Sequence, residues 1–342
     1  RWSAGERSTL WTSIPEPKAH KRAFNQELAK LARAEALTRD GFDGKGCAAL
    51  VSEGLVEPSE EAARKLKALH PTRPALGLGE MANLPAAKAI QTSEVKNALL
   101  EFSRDTAPGP TGLRVQHLLD ALAPGSDGPL LEQLANLSNV LASGSAPAEV
   151  APFFAGASLV ALPKKSGGLR PIAIGEIIRR LVGRTLCQHV KTAARTLLWP
   201  LQTGVAAPLA TDVAVHTVRQ WARRFANTGD RVVLKIDFEN AFNTLDRQVA
   251  LQELSTAFPE LSRWARWCYG QHSNLWFGRF AVASAAGVQQ GDPLGPLMFA
   301  CAIHPAVKRT AAIMRDHRHS QGHNLTLFYL DDGFLCGRVE AV

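Results

Sequence analysis

Two adjacent aspartates in an otherwise uncharged stretch constrain this chain more than any other feature. Asp331 and Asp332 lie within LTLFYLDDGFLCG, residues 325–337, and the flanking runs predict a hairpin with aspartate and glycine at its turn. An unpaired buried carboxylate costs several kcal/mol. The two carboxylates must therefore either face water in a plain turn or share a counter-ion, and this stretch alone leaves both possibilities open.

A third aspartate favours the counter-ion. Asp237 follows the predicted strand VVLKI, where an isolated aspartate is more often a helix N-cap or turn residue than a ligand. We expect VVLKI and LTLFYL to be adjacent strands of one antiparallel sheet, which would bring three carboxylates to one edge. Such a group repels itself unless divalent cations bind it. Carboxylate oxygens completed by water and phosphate are ligands that Mg²⁺ prefers.

Two further stretches contain residues suited to binding a nucleotide. Residues 162–174, LPKKSGGLRPIAI, predict a hairpin whose tip carries Lys164, Lys165 and Arg170. Considered alone, this tip is either a solvated turn or a cationic clamp for a triphosphate. Residues 287–307 predict a loop rich in glycine and proline that opens an apolar helix, and its glycines allow a ligand to approach the backbone closely.

Composition narrows the possible partners and location. The 342 residues include 39 Lys and Arg against 31 Asp and Glu, a net charge of +8, which favours a polyanionic partner such as nucleic acid. The five cysteines form no CxxC pair, so neither a zinc ribbon nor a disulfide framework is indicated. No uncharged apolar run approaches the ~18 to 20 residues of a membrane span. We therefore expect an intracellular protein in a reducing compartment, without a membrane partner.

The order of the motifs resembles that of reverse transcriptases. DFENAF at Asp237, then QQGDPLGP, then YLDD are similar to motifs A, B and C of that family, and QGDPLGP is similar to the version in non-LTR retrotransposons and group II introns. Upstream, APGPTG and LPKKSGGLRPI resemble the fingers motifs. The resemblance covers roughly residues 100–337. The sequence departs from the commoner pattern at Gly295, where relatives carry serine. It also departs at Leu330, where many relatives carry alanine or a similar small or medium residue.

The resemblance implies a two-metal site. It assigns Asp237, Asp331 and Asp332 as catalytic residues and metal ligands, together with the backbone carbonyl of Phe238. The implied cofactor is a pair of Mg²⁺ ions, with Mn²⁺ as an alternative.

The resemblance also implies a nucleotide site. Phe242 matches the steric gate, an aromatic ring that fills the space a ribose 2′-hydroxyl would need. Gln290 and Gly291 match a loop that contacts the incoming nucleotide and the template base. The implied substrate-binding residues are Lys164, Lys165, Arg170, Phe238, Phe242, Gln290 and Gly291.

The implied fold class is α+β, with the fingers and partial palm of a right-hand polymerase and a helical N-terminal extension. Amphipathic helices are predicted at 23–37 and 59–70. The expected parts are a basic helical extension at 1–90, fingers at 91–229 with 250–290 returning to them, and a mainly palm part at 230–342, incomplete at its C-terminal end.

The expected function is that of a retroelement RNA-directed DNA polymerase, with an RNA template, a DNA primer and dNTPs as partners. An RNA-dependent RNA polymerase is an alternative that Phe242 and Gln290 argue against, because that family carries a polar residue and a Ser-Gly motif at these places. A decayed or domesticated nucleic-acid-binding protein is a second alternative. We expect the chain to continue into a thumb, this piece alone to be inactive, and a nuclear location if the element is eukaryotic. The oligomeric state stays open.

Overall fold

The chain divides into two compact units, Arg1–Gly54 and Leu55–Val342. The structure is a computed structural model that describes residues 26–39, 41, 43–52, 54–103, 106–122, 127–164, 167–316 and 323–342. In the first unit, helices α1 (Gln26–Arg39) and α2 (Asp43–Leu50) contact each other, and α1 confirms the helix predicted at 23–37. Within the described residues, no helix is long and apolar enough to span a membrane. Lys165 lies outside the described residues.

The larger unit mixes helices with two β-sheets, as the α+β class requires. Its helices are α3 (Glu60–Ala68), α4 (Thr92–Leu100), α5 (Val115–Ala121), α6 (Asp127–Ala142), α7 (Ala151–Phe154), α8 (Ile177–Leu198), α9 (Ala210–Arg224), α10 (Ala241–Thr244), α11 (Arg247–Ala257), α12 (Ser262–Tyr269) and α13 (Gly295–Asp316). Its strands are β1 (Ala157–Pro163), β2 (Leu169–Gly175), β3 (Arg231–Asp237), β4 (Ser273–Phe277), β5 (Phe280–Ser284), β6 (Leu325–Tyr329) and β7 (Asp332–Arg338). Ser59 caps α3 by accepting the Ala62 N–H at 3.2 Å, in agreement with the predicted helix start.

The four-stranded sheet has the order β2-β1-β4-β5. Its first two strands are the antiparallel hairpin predicted from residues 162–174, which is thereby confirmed. Strand β4 joins β1 in parallel, so residues 273–284 return to the sheet that residues 157–175 begin. The expectation that residues 250–290 return to the fingers stays a prediction.

The three-stranded sheet has the order β3-β7-β6, which corrects the expected strand neighbours. We expected VVLKI and LTLFYL to pair directly, but β7 lies between them and pairs with both. The reason is that the turn after β6 is short enough to fold the chain straight back. Strand β7 then pairs along one edge of β6, and residues 201–203 hydrogen-bond along its other edge, so the edge left for β3 is the far side of β7.

The turn between β6 and β7 also differs from the prediction. Tyr329 pairs with Asp332, so the two turn residues are Leu330 and Asp331 rather than aspartate and glycine. Leu330 supplies the positive φ of the turn, +53°. Gly333 lies inside β7, where it pairs with Phe328 and Ile236, and a Cβ there would come within 2.4 Å of the Phe328 ring. The glycine thus serves packing within the sheet and not the turn.

A buried ion pair links distant parts of the larger unit. Arg179 on α8 donates to the Asp292 carboxylate at 2.5 Å, to the Ala155 carbonyl at 2.6 Å and to Gln289 Oε1 at 2.7 Å. The Tyr269 hydroxyl donates to the same Asp292 oxygen at 2.7 Å. Burial alone would lower the pKa of Arg179, but the charge of Asp292, together with the smaller effects of Tyr269 and Cys268, outweighs burial and raises it. Arg179 therefore stays charged in the core, and its contact with Asp292 holds the loop that leads into α13.

Replacing Arg179 by Met should strongly destabilise the protein. The change leaves the buried Asp292 carboxylate without its cation, which costs about 3–5 kcal/mol of unfolding free energy. Urea denaturation measures the loss. The matched control is Glu61→Gln, which removes an exposed pair with Lys65 at 2.7 Å and should leave the unfolding free energy nearly unchanged, because solvent screens that pair. Equal costs for the two variants would contradict this account of the core.

Candidate active site

The three aspartates lie at one edge of the three-stranded sheet. Asp237, the last residue of β3, faces Asp332, the first residue of β7, and Asp331 precedes it in the turn. Burial raises the pKa of Asp331, and the negative charges of Asp332 and Asp237 raise it further. The backbone has therefore brought three mutually repelling carboxylates within electrostatic reach of one another.

Lys235 is a counter-charge at this edge that the sequence reasoning missed. Its Nζ lies 3.1 Å from Asp332 Oδ1, and both side chains are about half exposed. The hydrogen bond to Asp332 raises the pKa of Lys235, and the charges of Asp332, Asp237 and Asp331 raise it further. Lys235 precedes Asp237 by two residues, so both side chains lie on one face of the strand. The alternation of side chains along the predicted strand VVLKI could have indicated that Lys235 lies near Asp237.

The predicted phosphate-binding hairpin contributes one further cation. Arg170 is exposed on β2, and its positive charge opposes the rise in the pKa of Asp331. Arg170 therefore acts electrostatically on the aspartate edge from the four-stranded sheet. Lys164 is exposed at the tip of the same hairpin, where its backbone N–H donates to the Gly168 carbonyl at 2.8 Å. Its role toward a triphosphate stays a prediction.

The oxygen atoms at this edge are of the type that binds a hard divalent cation, but their present positions do not form a metal site. Carboxylate oxygens at strand ends are Mg²⁺ ligands. Burial raises the pKa of Asp331 most, and the negative charges of Asp332 and Asp237, which a cation would relieve, raise it further. Over the described ranges, however, no three His, Cys, Asp or Glu residues are grouped so that they could hold a metal ion. Metal binding would require these side chains to turn toward one another and Lys235 to release Asp332.

The two phenylalanines after Asp237 have different environments. Phe238 is 42% exposed, whereas Phe242 is 8% exposed. The Phe242 ring stacks on Phe299 with centroids 5.0 Å apart and planes 18° apart, and its carbonyl accepts the Val288 N–H at 2.8 Å. Phe242 therefore packs in the core beside the start of the QQGDPLGP loop. Its role as a steric gate stays a prediction.

The Gln290-Gly291 loop is held against the four-stranded sheet. The Ala173 N–H donates to the Gln290 carbonyl at 2.7 Å. Gly291 has φ +121°, and a Cβ there would lie 2.3 Å from the Ala173 carbonyl oxygen. Gln290 Oε1 is buried and finds no hydrogen-bond partner among the described residues. This loop therefore requires glycine at 291 and contains a buried amide oxygen that no described residue hydrogen-bonds.

Replacing Gly291 by Ala should destabilise the protein beyond the usual cost of a strained backbone. A left-handed residue costs roughly 1–3 kcal/mol when it is not glycine, and here the added Cβ also collides with backbone. The control is Gly112→Ala, where φ is +78° but nothing lies within 4 Å of the new atom. Chemical denaturation should show a clearly larger loss at 291. Similar losses would mean that the loop moves away from Ala173 without difficulty.

Comparisons with known proteins bear on the family. The family model of reverse transcriptases, described as RNA-dependent DNA polymerases, matches residues 162–340. A retrotransposable element SLACS 132 kDa protein from Trypanosoma brucei gambiense is 25% identical over 233 residues, which are 66% of this chain and 19% of that protein. The chain thus spans about a fifth of the length of this relative.

Solved telomerase structures are also similar to this chain. Telomerase from Candida albicans, in complex with a fragment of telomeric RNA, has a TM-score of 0.39 and 11% identity over 53% of this chain and 38% of its own. A truncated apo telomerase from Candida tropicalis has a TM-score of 0.41 and 14% identity over 56% of this chain and 45% of its own. Because the family model covers more than half of the 342 residues, the protein belongs to the reverse transcriptase family.

Proposed function

We propose that this chain supplies the catalytic palm edge and fingers of a retroelement RNA-directed DNA polymerase. The observation that carries the proposal is the pairing of Asp237 with Asp332 across β3 and β7, with Asp331 beside them in the turn. Membership of the reverse transcriptase family supports the same reaction. The substrates would be dNTPs, a DNA primer and an RNA template.

The aspartate edge would hold two divalent cations. Asp237, Asp331 and Asp332 would provide the carboxylate oxygens, with the Phe238 carbonyl as a further ligand. When bound, two such ions lower the pKa of a primer 3′-hydroxyl and stabilise the leaving pyrophosphate. Mg²⁺ is the cation proposed, with Mn²⁺ as an alternative.

The remaining residues would bind and orient the nucleotide. Arg170, together with Lys164 or Lys165, would bind the triphosphate from the fingers side, opposite the carboxylates. The free Gln290 Oε1 offers a hydrogen-bond acceptor next to a glycine that allows close approach to the backbone. The Phe242 ring would exclude a ribose 2′-hydroxyl by occupying its space.

The two other candidate functions make different predictions. An RNA-dependent RNA polymerase would incorporate NTPs in preference to dNTPs. A nucleic-acid-binding protein without activity would bind a primed template and incorporate neither. The family match favours the DNA polymerase over the RNA polymerase, and the presence of Asp237, Asp331 and Asp332 favours it over a protein without activity.

Asp331→Asn should abolish nucleotide incorporation while making the metal-free protein more stable. The asparagine side chain is uncharged, whereas burial and two neighbouring carboxylates raise the pKa of the Asp331 carboxyl group. The substitution therefore relieves repulsion. Thermal melting should show a higher Tm for the variant without metal. Mg²⁺ or Mn²⁺ should then stabilise the parent and leave the variant nearly unchanged.

Single-nucleotide extension of a DNA primer on an RNA template, carried out with the full-length protein, measures the activity. The control is Asp120→Asn, an exposed aspartate on α5 whose Oδ1 accepts from Gln116, and it should change neither readout. A variant at 331 that is fully active, or that binds metal as the parent does, would overturn the metal assignment.

Phe242→Val should relax sugar selection. Removing a ring that fills the 2′-hydroxyl space should lower the preference for dNTP over NTP by about 10- to 200-fold, the range for one small group in a pocket. Extension reactions with each nucleotide on the same primed RNA give the ratio.

The matched control for Phe242 is Phe299→Val, which removes the other ring of the same stacked pair. It should lower the Tm comparably without changing the ratio of dNTP to NTP incorporation. If both variants change the ratio equally, or neither does, Phe242 is a packing residue alone.

A further inference from the structure

A segment far from the aspartates in sequence is hydrogen-bonded to the turn that carries them. The Gln202 side chain, which is buried, accepts the Leu330 N–H with Oε1 at 2.7 Å and donates Nε2 to the Leu330 carbonyl at 3.2 Å. One amide therefore binds both backbone groups of a turn residue. Leu330 is separated from Gln202 by 128 positions and immediately precedes Asp331.

The neighbouring residues extend this attachment along β6. The Phe328 N–H donates to the Leu201 carbonyl at 2.7 Å, and the Thr203 N–H donates to the Phe328 carbonyl at 2.8 Å. The Thr203 hydroxyl donates to the same carbonyl at 3.1 Å. The segment 201–204 thus runs beside β6 as a short parallel bridge and ends at the turn.

The turn has a conformation that needs such support. Leu330 adopts φ +53°, which is unusual for a residue other than glycine, asparagine or aspartate. Gly204 donates its own N–H to Gln202 Oε1 at 3.0 Å and so holds that amide in place. A Cβ at 204 would lie 2.8 Å from the Leu330 nitrogen, so only glycine permits the approach.

We propose that Gln202 is a positioning residue for the aspartate pair. Its amide fixes the left-handed conformation of Leu330, and that conformation sets where Asp331 leaves the turn and Asp332 enters β7. Gln202 touches neither substrate nor metal in this role. The inference rests on the proposed polymerase function for its catalytic consequence, but the hold on the turn is independent of it.

Asn139 provides a matched control. Its side chain binds Ile90 in the same way, accepting the Ile90 N–H at 2.8 Å and donating to the Ile90 carbonyl at 2.9 Å. This second amide clamp joins α6 to the residues before α4 and is not bonded to the hairpin. A variant at Asn139 removes the same pair of amide hydrogen bonds from a region that has no part in the proposed reaction.

The test compares Gln202→Met with Asn139→Leu in the full-length protein. Both replace the amide by an apolar side chain of similar size, and both should lower the Tm. Hydrogen exchange of the peptide covering residues 325–337 should become faster only in the variant at 202. In primer extension that variant should lose kcat by about 100-fold, the scale of a 1 Å misplacement, with little change in the KM for dNTP.

Thr203→Val is the milder variant if Gln202→Met does not fold. It removes only the hydroxyl bond to Phe328 and should speed exchange of the same peptide to a smaller extent. Unchanged exchange in the variant at 202, or in Thr203→Val if that is the variant that folds, would overturn the proposal. So would an equal kcat loss in Asn139→Leu. If the parent itself incorporates no nucleotide, the polymerase proposal fails, while the exchange comparison still decides whether Gln202 holds the turn.

Discussion

Repulsion among three carboxylates at one sheet edge is the constraint on which the surrounding structure depends. Asp237 and Asp332 are opposite each other because β3 and β7 pair in register, and Asp331 is next to them because the turn has only two residues. Neighbouring cations moderate this repulsion. Lys235 binds Asp332 directly, and Arg170 acts on Asp331 from the other sheet. These two side chains give the three carboxylates fewer positive charges than negative ones. The edge is therefore suited to binding metal cations.

Buried polar contacts hold both the Gln290-Gly291 loop and the turn that carries the aspartates. The Arg179–Asp292 pair fixes the base of the Gln290-Gly291 loop from inside the core, and the Ala173 N–H holds the loop from the four-stranded sheet. Gln202 holds the aspartate turn from a third direction. The loop and the turn are thus each attached to buried, hydrogen-bonded groups, which is how a scaffold keeps reacting groups in a narrow range of positions.

The parts of the site that the sequence predicted are those that depend on local pattern. Asp237 at a strand end and the hairpin carrying Arg170 follow from alternation and turn chemistry within a few residues. The predicted position of the turn was wrong because Gly333 is needed for packing against the Phe328 ring rather than for the turn. That contact exists only once β6 and β7 pair. Arg179 with Asp292 and Gln202 with Leu330 were missed because their partners are 113 and 128 residues away. A single sequence carries no signal for such pairs.

The most direct test of the account is to locate bound metal. Anomalous diffraction from crystals grown with Mn²⁺, a primed template and a non-hydrolysable dNTP would identify the ion positions without reference to activity. We expect two Mn²⁺ ions roughly 4 Å apart, bound by Asp237 and Asp331, with Lys235 displaced from Asp332. Anomalous peaks at other residues, or none at this edge while the nucleotide is bound, would contradict it.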